Sequence, residues 1–246
     1  MIDHPFLSVI IPAYNEQTRI VSAITSVAEY LRSQNYTWEL LIVDDGSTDE
    51  TETIVKCHPD YGESVRLVSV IHGGKGWAVQ NGMLNAKGLY QFLCDADLSM
   101  PIQHLQDFLP PKAPDGDIII GSREMPMSSR FGEPFIRHLM GRIYNSIVRF
   151  VAVSDIRDTQ CGFKCFTKES AEKLSRLQTI KGFGFDVELL YVARKLGLKI
   201  SEVPIDWYYN SDSKVRPFHD SIRSIVDLLV IKWNNIRGKY LPTTID

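Results

Sequence analysis

Four short apolar runs, each ending in polar loop chemistry, constrain this chain more than any other feature. They are Leu7–Ile11, Glu39–Val43, Val65–Ile71 and the stretch Tyr90-Gln-Phe-Leu-Cys-Asp-Ala-Asp-Leu-Ser99. Short β-branched or apolar runs bounded by turn residues read as buried strands. Helical periodicity follows the first run, from Arg19 to Leu31 through Ile20, Ile24 and Val27. Pro12 is expected to stop the first strand. Ser47, with Glu50 three residues on, is expected to cap the helix after the second. His72-Gly-Gly-Lys-Gly76 opens a third helix to about Ala86. Three strand–loop–helix units and a fourth strand predict an α/β chain, a doubly wound, mostly parallel sheet flanked by helices.

In such sheets ligands bind beyond the carboxyl ends of the strands. That rim collects Tyr14, Glu16, Asp44, Asp45, Lys75, Asp95 and Asp97. Two carboxylates at the spacing of Asp95 and Asp97 suit a hard divalent cation that also holds a diphosphate. The spacing alone is unspecific, and a helix cap or turn remains the competing reading. Asp115-Gly-Asp117 has the same spacing but precedes its apolar run, Ile118–Ile120, so it reads as a solvated turn.

Other nucleotide folds fit poorly. No glycine cluster follows the first strand, as a dinucleotide fold requires, and no Gly-x-x-x-x-Gly-Lys-Ser/Thr loop is present. A net charge of −3 gives no field for nucleic acid. The four cysteines form no Cys-x-x-Cys pair and read as reduced thiols. No secretory signal pattern and no run of about 18 apolar residues is present, so a cytoplasmic chain that meets membranes only at their surface is expected.

Several motifs carry a family resemblance. Ser8–Glu16, Val43-Asp-Asp-Gly-Ser47, Lys75-Gly76, Asp95–Ser99 and Gly121-Ser-Arg123 resemble family 2 glycosyltransferases of the GT-A fold. Asp158-Thr-Gln-Cys-Gly-Phe-Lys164, Phe185-Asp-Val-Glu188 and Ser213-Lys214 resemble the polyprenyl-phosphate hexose synthases, the dolichyl-phosphate glucose and mannose synthases. The ordered set spans about residues 7 to 230, implying a catalytic domain over 1–215 and an amphipathic helix and tail over 216–246.

The resemblance implies inverting transfer of a hexose from a nucleotide sugar to a polyprenyl or dolichyl phosphate with Mg or Mn. Asp95 and Asp97 would hold the metal. Pro12, Tyr14, Glu16, Val43, Asp45, Lys75, Asp95, Ala96 and Lys214 would bind the donor. Arg123 and Arg137 would bind the acceptor phosphate, since a guanidinium matches phosphate oxygens bidentately. Asp97, Arg123 and Asp158 form the implied catalytic set. A lipid phosphate is already anionic, so Asp158 reads as an orienter or an arginine partner rather than a base. Asp186 and Glu188 would contact the sugar, brace the site or cap a helix. Tyr208–Lys214 would be a mobile loop closing over the diphosphate. Mannose synthases carry an arginine where Tyr208 stands, which favours UDP-glucose over GDP-mannose.

From His219 to Tyr240, apolar residues at helical spacing, including Ile225, Leu229 and Trp233, alternate with basic ones. The helix either packs on the catalytic domain or lies in a membrane interface. Gly132–Val153, rich in aliphatic and aromatic residues, is a second candidate for meeting lipid. A peripheral position on the cytoplasmic face is expected, and a separate membrane-anchor subunit stays open. The competing functions are GDP-mannose-dependent transfer, a different acceptor, and a non-catalytic nucleotide-sugar-binding protein.

Overall fold

The computed structural model describes residues 4–210 and 217–241, without the side chains of 217–224. Seven strands form one sheet. They are β1 (Leu7–Ala13), β2 (Trp38–Asp44), β3 (Val65–Ser69), β4 (Tyr90–Leu93), β5 (Ile118–Ser122), β7 (Lys164–Thr167) and β8 (Ile200–Pro204). Their order is β3-β2-β1-β4-β7-β5-β8. β1 runs parallel to both β2 and β4, and β5 runs parallel to β8. β7 lies antiparallel between β4 and β5. A second, two-stranded sheet pairs β6 (Ser129–Phe131) with β9 (Asp206–Tyr208).

Side chains alternate across β1, and each face buries a separate core. Val9 and Ile11 pack with Ile20, Ile24 and Val27 of α1 (Ile20–Arg32). Ile10 faces the other way, against Val79 of α3 (Lys75–Asn85) and Leu189 of α6 (Phe185–Lys195). Phe92 anchors the first core, edge-on to Phe108 at 5.2 Å and to Phe163 at 4.9 Å between ring centroids. Such aromatic pairs add to their burial about 0.5–1.5 kcal/mol each.

Strand order reverses between β1 and β4, which opens a crevice beyond their carboxyl ends. The loops carrying Tyr14 and Asp95 leave from those two strands. Pro12 does not stop β1, which continues to Ala13. β4 pairs only as far as Ile10 opposite Leu93, so the missing Pro12 N–H faces a side with no ladder left to join. β2 keeps pairing on the other side to Ala13 opposite Asp44. The run from Lys199 to Trp207, which reads in sequence as one late strand, is split in two. β8 ends at Pro204, and Ile205 buries itself between it and β9.

Two helices lie beside the crevice. α4 (Phe135–Val151) buries only Tyr144 and Val148 and leaves Phe135, Ile136, Ile143 and Phe150 exposed. α7 (Pro217–Ile236) packs against α4 and α6. It buries Leu228 and Ile231, while Val226, Leu229, Trp233 and Ile236 are exposed. Packing on the domain and a second apolar face are thus both present on α7. Among the described residues no helix is long and apolar enough to cross a membrane. All four cysteines are free thiols.

Candidate active site

The rim is organised by backbone groups that loop carboxylates collect. Asp45 accepts hydrogen bonds from the Gly73 and Gly74 N–H groups at 2.9 and 2.8 Å, and its carboxylate lies 2.9 Å from His72 Nδ1. Gly74 has φ +109°, a conformation side chains rarely adopt, and a Cβ there would meet the Lys181 carbonyl at 2.7 Å. Asp45 thereby shapes the turn that presents Lys75. Tyr14 stacks on His72 at 4.3 Å. Ser47 does not cap a helix. Its hydroxyl donates to Asp44 and accepts the Asn15 N–H. The following helix, α2 (Thr51–Lys56), starts four residues later, where Asp49 accepts the Thr51 N–H at 3.0 Å. Those bonds tie the loop after β2 to the loop after β1.

Asp95 and Asp97 flank Ala96 in a tight turn. Leu98 takes a left-handed φ of 46°, its N–H donating to the Asp95 carbonyl, and Asp97 Oδ1 accepts the Ser99 N–H at 3.0 Å. A bulky residue held there stores strain, which concentrates at functional sites. Lys75 Nζ sits 2.6 Å from Asp95 Oδ1. Burial opposes ionisation of Asp95, but Lys75 holds it below the usual carboxylate range. Burial and the Asp95 charge push Asp97 up. Two like charges, one of them strained upward, suit a divalent cation. Among the described residues no cluster of three or more His, Cys, Asp or Glu side chains could cage a metal alone. Two carboxylates plus diphosphate oxygens and water match the way Mg is usually bound.

Across the same cleft lies an arginine wall. Arg123 grips Asp158 with Nε to Oδ2 at 2.7 Å and Nη2 to Oδ1 at 2.9 Å, and its backbone N–H adds a third bond at 3.0 Å. Burial works against the charge, yet this grip holds Asp158 down to about 2. Trp207 lies under both Arg123 and Arg130, at 5.6 and 6.0 Å from their guanidinium carbons. Arg130 is bonded by Glu124 and Glu133. Arg137 stacks over Tyr209 at 5.0 Å.

Lys75, Asp95, Asp97, Arg123, Arg137 and Asp158 therefore line one cleft. Pro12 meets Lys75 and Asp95 in a smaller adjoining cavity. Tyr14, Glu16 and Asp45 sit on the loops beside it, with Glu16 paired to Arg19 at 2.7 Å. Val43 and Ala96 have side chains in the two cores. Lys214 lies outside the described residues. Asp186 does not cap a helix: it binds Lys164 Nζ at 2.6 Å behind the carboxylate pair. Glu188 is fully buried and accepts from Thr179, Ile180 and Tyr240. Sequence reasoning missed Trp207 and Phe183, which also line the cleft. The aromatic run Trp207-Tyr-Tyr209 was the available signal for the first.

A model of glycosyl transferase family 2 matches residues 8–175. A dolichyl-phosphate beta-glucosyltransferase of Dictyostelium discoideum is 34% identical over 96% of this chain and 77% of its own length. Its counterpart in Drosophila melanogaster is 36% identical over 92% of this chain and 74% of its own length. Among solved structures, glucosyl-3-phosphoglycerate synthase from Mycobacterium tuberculosis, in complex with Mn2+, uridine diphosphate and glucosyl-3-phosphoglycerate, superposes with a TM-score of 0.66. It is 22% identical, over 92% of this chain and 80% of its own, and speaks to the fold alone. A mostly parallel sheet whose switch-point loops carry paired aspartates, in a chain matched in sequence over most of its length, makes this protein a glycosyltransferase of family 2.

Proposed function

We propose that the protein transfers glucose from UDP-glucose to a polyprenyl phosphate such as dolichyl phosphate, with inversion and with Mg or Mn. The observation that carries this reading is the arrangement of the cleft: the Asp95/Asp97 pair faces Arg123 and Arg137 across one opening. Asp95 and Asp97 would hold the metal, which would supply positive charge against the departing diphosphate. Lys75 binds the same diphosphate. Pro12, Tyr14, Glu16 and Asp45 bound the nucleoside side, and Lys214 is assigned to the donor as well.

Arg123 and Arg137 bind the acceptor phosphate and aim one of its oxygens at the anomeric carbon. Asp158 orients Arg123. A carboxylate held at about 2 and doubly bonded is a poor proton acceptor, and an anionic phosphate needs none.

The acceptor's tail calls for a membrane surface, and α4 supports one. Its cleft side carries Arg137, Met140, Gly141 and Tyr144. Its exposed side carries Ile136, Leu139, Ile143, Ile147 and Phe150. At 100° per residue these two stripes lie roughly a third of a turn apart. One helix would thus hold the phosphate while its neighbouring face, continued by the exposed residues of α7, rests in lipid. The expected position is peripheral, on the cytoplasmic face.

An acceptor panel tests this reading. With labelled UDP-glucose and Mn, label should pass to a short polyprenyl phosphate and not to 3-phosphoglycerate or a free saccharide. Label on either of the latter, with polyprenyl phosphate inert, overturns the acceptor assignment. Binding of the chain alone to phospholipid vesicles separates self-attachment from reliance on an anchor subunit.

A further inference from the structure

Four charged groups from different parts of the chain meet at the cleft: Lys75, Asp95 and Asp186 line it, and Lys164 is bonded to Asp186 from within the sheet. Lys164 on β7 is fully buried and bonds Asp186 Oδ1 at 2.6 Å. Lys75 bonds Asp95 Oδ1 at 2.6 Å. Lys75, Asp95 and Asp186 all line one small cavity beneath the cleft. Lys75 is the first residue of α3, where the helix dipole disfavours a cation. The neighbouring carboxylates offset that cost. Its flexible stem lets the ammonium change partners without moving backbone.

An ammonium 2.6 Å from Asp95 Oδ1 and a divalent ion on the same oxygen exclude each other by charge and by space. We infer that Lys75 is the exchangeable counter-ion of the metal site: it leaves Asp95 when the metal binds, and Asp186 is the carboxylate that receives it. The inference rests on the metal reading of Asp95 and Asp97 given above. It gives Asp186, which lines the same cavity as Lys75, the part of a positioning residue. Burial pushes the Asp186 carboxyl up, and Lys164, bonded to it at 2.6 Å, opposes that push and fixes the group in place. In this arrangement metal loading moves the lysine from Asp95 to Asp186, both of which line the cleft, and leaves it there as the cation an incoming diphosphate meets. Order of binding follows: metal with nucleotide is favoured over either alone.

The test is direct Mn2+ binding to the full chain, read as loss of the free-ion electron paramagnetic resonance signal, first without nucleotide. A residue that merely supports the site weakens metal binding when removed. A competitor tightens it. Lys75→Met should bind Mn2+ about tenfold more tightly than the wild type, the scale on which one neighbouring charge alters binding of a proton. Lys75→Arg should stay near the wild type. Asp186→Asn should bind Mn2+ more weakly, and that loss should vanish in the Lys75→Met/Asp186→Asn double variant. With UDP present the order should invert, Lys75→Met losing nucleotide affinity. Unchanged or weaker Mn2+ binding by Lys75→Met, with wild-type binding intact and lost in Asp97→Ala, overturns the exchange alone. An Asp186→Asn loss that persists in the double variant removes Asp186 from it. Absence of Mn2+ binding in every variant, with and without UDP, removes the metal reading and this inference together.

Discussion

Three hydrogen bonds of 2.7, 2.9 and 3.0 Å join Arg123 to Asp158 on the acceptor wall, two residues 35 positions apart. The pair fixes the guanidinium plane before any ligand arrives. Removing one partner leaves the other buried and unpaired, which costs about 3–5 kcal/mol. Asp158→Ala should therefore lose about 3 kcal/mol of stability in urea unfolding. It should also raise the acceptor KM while donor affinity stays within about twofold. A loss confined to kcat, with acceptor KM unchanged, would instead point to a base.

The same pair predicts a pH dependence. Folding lowers the Asp158 carboxyl from its ordinary value of 3.8 to about 2. A depressed carboxylate adds stability that is present above its unfolded value and lost as pH falls toward the folded one. Stability worth about 2 kcal/mol should disappear between about pH 4 and pH 2. Asp158→Asn should flatten that limb in unfolding curves measured at stepped pH. An unaltered limb would assign acid lability to other carboxylates.

Arg123 and Arg137 should separate in their effects. Arg137 rests on Tyr209 through a cation–π contact worth about 0.5–1 kcal/mol. Arg137→Ala should raise the acceptor KM about tenfold with little change in melting temperature. Arg123→Ala should do the same and also destabilise the fold. Equal losses of donor and acceptor affinity in Arg137→Ala would remove it from the acceptor site.

Gly162 reaches across from the Asp158 loop to the carboxylate pair. A Cβ there would collide with Asp95 Oδ2. Gly162→Ala should displace the Asp95 carboxylate and weaken Mn2+ binding, with circular dichroism unchanged. Wild-type Mn2+ affinity in that variant would mean the Asp95 side chain moves aside freely.

The exposed stripe on α4 and α7 should govern membrane attachment. Phe150 and Leu229 are 91% and 66% exposed, so a charge there costs the fold little. Phe150→Asp with Leu229→Asp should reduce co-sedimentation with phospholipid vesicles while UDP binding is retained. Full co-sedimentation of the double variant would place the lipid contact elsewhere.

Local chemistry made the parallel half of the fold legible. β1 through β4 are apolar runs with turn signals at their ends, and the Asp95/Asp97 loop follows from its position after such a run. The antiparallel strand β7 was not legible, because Lys164-Cys-Phe-Thr167 places a lysine inside the sheet. Asp186, 22 residues away, and the Cys161 carbonyl make that burial tolerable. Ser47 misled for a related reason: its hydroxyl is used by Asp44 and Asn15 rather than by the helix it precedes. Pairing of Arg123 with Asp158 could be suspected from residue type, but the Trp207 floor under Arg123 and Arg130 depends on β9 leaving the main sheet.

Donor choice in a single tube tests the central claim most directly. Equal amounts of differently labelled UDP-glucose and GDP-mannose are offered with a short polyprenyl phosphate, with Mn and with chelator. The account predicts glucose label in the organic phase, abolished by chelator and by Asp97→Ala. Mannose label instead, or glucose transfer that survives both treatments, would contradict it.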